Sequence, residues 1–173
     1  MSETVTLNTK GLDRLLKSLK SRPPQARVGV LGGKTVRQSA GDTRNRSLFK
    51  GYRGYRTPTN AEIGAAHEYG VPSKGIPQRS FLRIPISENL QKYAEESGAF
   101  DKEVFADVIQ SGSMLPWMKK LAVMAESIVS DAFATGGFGK WPKWKDPNYT
   151  NNAGQLLVDT KQLRESITSE VRE

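Results

Sequence analysis

The sequence predicts an α+β fold: a small, mostly antiparallel sheet packed against helices, one of them long, with a long basic loop inserted in the chain. Three observations point there. Leucines recur at helical spacing near the start, apolar residues alternate at strand spacing in short stretches near both ends, and one apolar stripe runs from Leu115 to Phe133. With 173 residues, 36% of them hydrophobic, the chain can bury a core and is expected to form one domain over residues 1–173.

Leu12, Leu15, Leu16 and Leu19 fall on one face of a helix that Asn8 or Thr9 can cap and that stops before Arg22-Pro23-Pro24. Ala26, Val28 and Val30 then alternate with Arg27 and Gly29, the pattern of a strand with one buried face, ending at Gly32-Gly33. Residues 33–58 have no apolar period and read as a long flexible loop. Thr59 and Glu62 have the spacing of a capping box, opening a helix through Tyr69 that Gly70 closes. The stretch from Ile76 to Ile86 reads as extended, anchored by Phe81, before a helix around Leu90, Tyr93 and Ala94. Val104, Phe105, Val108 and Ile109 mark a further helix after a break at Ser97-Gly98. Met118, Leu121, Ala122, Ala125, Ile128, Val129 and Ala132 form the stripe of the long helix, which Gly136-Gly137 ends. An aromatic, Gly- and Pro-rich loop over 136–155 leads to a short helical turn near Thr160–Arg164. Ile167, Ser169 and Val171 then alternate as a strand returning to the sheet.

The net charge of +8 is concentrated: Lys34, Arg37, Arg44, Arg46, Lys50, Arg53 and Arg56 face only Asp42, so one 25-residue stretch carries +6 of it. Phe49, Tyr52 and Tyr55 are interleaved with those cations. The stretch therefore has three readings: a solvated loop, a subunit interface anchored by Arg and Tyr, or a contact with DNA phosphates and bases. Lys34, Arg37, Arg44, Arg46 and Lys50 are the candidates for facing DNA; Phe49, Tyr52, Arg53, Tyr55 and Arg56 are the candidates for a subunit or partner interface. Trp141 and Trp144 are too large and apolar to sit idle in a loop, and either fold back or join that interface.

Enzyme chemistry finds little footing. No cysteine is present, so disulfides and thiolate metal sites are excluded, and the single histidine, His67, leaves too few soft ligands for a zinc centre. His67-Glu68 has no second histidine to complete a metalloprotease helix, and no serine has a base at motif spacing. Gly33-Lys34-Thr35 ends like a phosphate-binding loop, but Val28 stands where the first glycine belongs. No catalytic residue, metal or other cofactor is expected. No apolar run approaches a membrane span, and the opening residues lack the pattern of a secretory leader, so a soluble protein made in a cytosol is expected.

Three stretches, in order, resemble the virion-morphogenesis family of tailed phages, which includes tail-completion, neck and minor tail proteins. Asn60–Gly70, with Glu68-Tyr69-Gly70 at its end, is similar to that family's helix closed by an acid, an aromatic and a glycine. Ile76–Arg83, IPQRSFLR, resembles its Pro-x-Arg-Pro-Phe-Leu-Arg segment, with Ser80 where the family usually has proline. Gly137–Pro142 followed by Leu156–Ile167 resembles its ending, Leu-x-Asp-Thr-Gly-x-Leu-x-x-Ser-Ile, with Lys161 in place of glycine. The basic loop lies outside the resemblance.

The resemblance implies a non-enzymatic structural subunit of the virion, made in the host cytoplasm. It would assemble as a six- or twelve-fold homo-oligomeric ring at the head-tail junction or in the tail, through which DNA passes. Its implied neighbours are tail terminator or tail tube proteins and head connector or adaptor proteins, with non-specific contact to genomic DNA and none to membrane. Pro77, Arg79, Phe81 and Arg83 are expected to anchor the fold. The alternative from another class is a DNA-binding accessory protein using the 33–58 loop, whose affinity would fall by roughly 0.9 log units per log of salt for each phosphate neutralised.

Overall fold

The computed structural model describes residues 9–31, 58–143 and 162–172. Its elements are α1 (Thr9–Ser21), β1 (Gln25–Val30), α2 (Asn60–Tyr69), α3 (Arg83–Glu96), α4 (Lys102–Ser111), α5 (Leu115–Thr135), α6 (Gln162–Glu165) and β2 (Ile167–Arg172), with a 3-10 turn at Pro72–Lys74. β1 and β2 form a two-stranded antiparallel sheet, so the fold is a small α+β one. Among the described residues no helix is long and apolar enough to cross a membrane.

The chain divides into two compact units. Of the described residues, the first comprises 9–28, 88–128 and 169–172. In it α1 lies against α4, and the approach is so close that a Cβ at Gly11 would collide with the Ile109 carbonyl oxygen. Leu15 and Val108 are buried there, but Leu16 and Leu19, expected on the same apolar face, remain 45% and 38% exposed. Trp117 opens α5 between Phe100 and Phe105, with ring centroids 6.4 and 6.1 Å away, and donates its indole N–H to the Ala99 carbonyl at 3.0 Å. Ala122, Ala125 and Ile128 supply the buried stripe of α5 in this unit.

Of the described residues, the second unit comprises 29–31, 58–87, 129–143 and 162–168. Its core is Phe81, Val129, Ala132, Phe133, Trp141 and Leu163, against which Val30, Ile63, Leu82, Ile86, Phe138 and Ile167 pack. Phe133 is the hub, with the Phe81 ring 5.1 Å away and the Trp141 ring at 5.8 Å, edge to face.

Two expectations change. The stretch from Ile76 to Ile86 is not a strand: only Ile76 forms an isolated bridge, to Val71, and α3 begins at Arg83. Pro77 has no N–H for a ladder, the Arg79 N–H turns to the His67 carbonyl, and the N–H groups of residues 81–83 are taken by a side chain, described below. β1 does form, but Ala26 is exposed while Gly29 is buried, with Leu82 beside it, so burial does not follow the simple alternation. Helices α1, α2 and α5 and strand β2 form where the sequence places them. Thr9, offered as a cap, is already helical, and Asn8 lies outside the described residues.

Candidate functional site

The most densely bonded place in the second unit lies where α2 meets the start of α3. The capping box of α2 is complete: Thr59 accepts from the Glu62 N–H, and the Glu62 carboxylate accepts from the Thr59 N–H at 2.9 Å. That fixed start sets which face turns inward. Asn60, Gly64 and Glu68, four residues apart, are the buried residues of α2. Gly64 leaves room for the Phe81 ring and Leu163, and Glu68, one turn on, is 5% exposed.

Glu68 uses both carboxylate oxygens on the chain just before and at the start of α3. Oε1 accepts from the Ser80 hydroxyl at 2.5 Å and the Arg83 N–H at 3.1 Å; Oε2 accepts from the N–H groups of Phe81 at 2.9 Å and Leu82 at 3.0 Å. Ser80 Oγ in turn accepts from the Ile84 N–H at 3.0 Å. Pro85 has no N–H to satisfy, and the Ile86 N–H makes the first i→i−4 bond, to the Leu82 carbonyl. Every orphan donor at this helix start is thereby accounted for. A carboxylate also sits favourably at the positive end of the α3 dipole. The cap comes from a different helix, 12 to 15 residues earlier in the chain.

Arg79 lies beside this joint, 1% exposed. Its N–H donates to the His67 carbonyl at 2.7 Å, and its Nε and Nη2 reach the carbonyls of Pro142 at 3.0 Å and Lys143 at 3.5 Å. Burial draws the Arg79 pKa down from its ordinary value. Trp141 closes the arrangement by donating its indole N–H to the Ser80 carbonyl at 2.8 Å. His67 is half-buried, and its Nδ1 has no hydrogen-bond partner among the described residues. Its pKa is lowered, first by burial and second by the positive charge of Arg79.

No family model, curated protein or solved structure matches this chain.

Of the expected fold anchors, Arg79 and Phe81 are almost completely buried, Pro77 is half-buried, and Arg83 contributes its backbone N–H while its side chain is exposed. Of the two readings open for Trp141, folding back holds and the place at a partner interface does not: it is 8% exposed in the core, where its indole N–H donates to the Ser80 carbonyl. Trp144 lies outside the described residues, as do Lys34, Arg37, Arg44, Arg46, Phe49, Lys50, Tyr52, Arg53, Tyr55 and Arg56. The sequence reading did not single out Glu68 or Ser80. The local signal was there for Ser80, a serine ahead of a helix with proline in its first turn; for Glu68 only the resemblance marked the position. Among the described residues no three His, Asp or Glu side chains come together as a metal site. What this arrangement does is hold: its polar groups bind backbone and fix one helix, one turn and one loop to each other.

Proposed function

We propose that this chain is a structural component of a tailed-phage particle, a tail-completion or neck subunit that assembles into a ring through which DNA passes, and not an enzyme. One observation carries the reading. The three stretches that resemble the virion-morphogenesis family are far apart in sequence, yet their distinctive residues bond to one another in a single unit. Glu68 of the first holds the amides of the second, Arg79 of the second holds the Pro142 carbonyl of the third, and Phe81 shares its core with Leu163 near the end of the third. Residues that a fold requires together form such a network, so the resemblance rests on an interlocked set of positions and not on scattered identities.

In this reading the joint gives each subunit a rigid body, and the long inserted loops meet the neighbours. Ring position, neighbours and passage of DNA follow from the resemblance. Cryo-electron microscopy of the assembled particle tests it. The expected result is a symmetric ring of this chain at the head-tail junction or in the tail. Absence of the chain from the particle overturns the proposal and makes salt-dependent DNA binding by residues 33–58 the leading account.

A further inference from the structure

A two-stranded ribbon has two outer edges, each a row of backbone N–H and C=O groups able to take another strand. The edges of β1 and β2 differ. On β2 the Ser169 N–H donates to the Glu126 carboxylate of α5, so a charged side chain occupies the place a third strand would need. On β1, among the described residues, no hydrogen bond from outside the ribbon reaches the backbone of Gln25–Val30. Gln25, Ala26 and Arg27 are exposed, so the first half of the edge can be reached. Two strands alone are marginal in water, and a third would add a full ladder of bonds.

Charge selects the occupant. From Arg14 to Leu31 the chain carries Arg14, Lys17, Lys20, Arg22 and Arg27 and no acidic residue. A second copy pairing through β1 would set a second basic segment beside the first, and like charges held close together oppose such pairing. A second copy's β2 has its edge blocked by Glu126. We propose that the outer edge of β1 takes an extended acidic segment of a partner protein as a third strand. Backbone bonds supply the affinity, and an acid facing Arg27 supplies the preference. This goes beyond the ring reading and does not rest on it.

The test is a titration of the full-length, ¹⁵N-labelled chain with a capped eight-residue peptide alternating Glu with Val and Thr. Two control peptides are used, one with Lys in place of Glu and one N-methylated at alternate backbone positions. The expected result is shift changes and new hydrogen-exchange protection at alternate amides of Gln25–Val30. Neither control peptide binds, and Arg27→Glu, at an exposed position that leaves folding intact by circular dichroism, weakens binding roughly tenfold. Silence at β1, or equal binding of either control peptide, overturns the proposal. So does concentration-dependent protection of the same amides without peptide, which would make a second copy the occupant. Either failure leaves the ring reading standing, because that reading is decided on the particle.

Discussion

At the scale of single residues, Glu68 carries the most. Its carboxylate satisfies four donors in a place closed to water, and a glutamine would keep one acceptor oxygen while turning an NH₂ group toward those donors. Glu68→Gln should cost about 2–4 kcal/mol of stability, and Ser80→Ala, which loses only the hydroxyl's two bonds, about 1–2 kcal/mol. Urea denaturation of both variants checks the order as well as the size. His67 makes the second prediction. Its pKa in the fold lies below the ordinary 6.5, because burial and Arg79 both oppose its protonation. The unfolded chain therefore takes up this proton first. The histidine's contribution is intact above the unfolded value of 6.5 and is lost as pH falls from there through the folded value. Denaturation midpoints at a series of pH values should drop over that window, and His67→Gln should flatten the drop. An unchanged slope would mean that other groups control it.

At the scale of elements, the contact of α1 with α4 depends on Gly11. A methyl group there meets the Ile109 carbonyl, part of a helix backbone that cannot step aside as a flexible side chain would. Gly11→Ala should lower stability by about 2–3 kcal/mol despite alanine's higher helix propensity, measured by thermal or urea unfolding. The same scale explains what could be read in advance. α1, α2 and α5 are written in local terms, as leucine spacing, a capping box and an apolar stripe, and they form where those signals lie. The start of α3 is only partly local. Pro77 and the loose pattern after it suggest extended chain; Ser80 and Pro85 are local start signals, but the amides of Phe81, Leu82 and Arg83 are taken by the carboxylate of Glu68 on another helix. Trp141 could be read either way for a related reason, since the carbonyl that takes its indole N–H belongs to Ser80, 61 residues earlier. The candidate site was thus legible in its arginine and phenylalanine anchors and in the serine before α3, and hidden in Glu68, whose partners lie 12 to 15 residues away.

At the scale of the whole molecule, most of the excess charge, +6 of +8, lies in one stretch, and the two leading functions use it differently. A DNA-binding accessory protein engaging six cations of that stretch would show a log-log salt slope of about −5 on duplex DNA. The proposed ring subunit, free and unassembled, should show weak affinity and a slope shallower than about −2, measured by fluorescence anisotropy across a salt series. The joint between α2 and α3 has one more consequence, for chain cleavage. The exposed turn at Pro72–Lys74 offers a trypsin site at Lys74. The bonds from Glu68 to residues 80–83 and from Arg79 to the His67 carbonyl all cross that site. A chain cut there becomes two fragments, yet they stay clasped as one folded body, separating on a denaturing gel and eluting together from a native column.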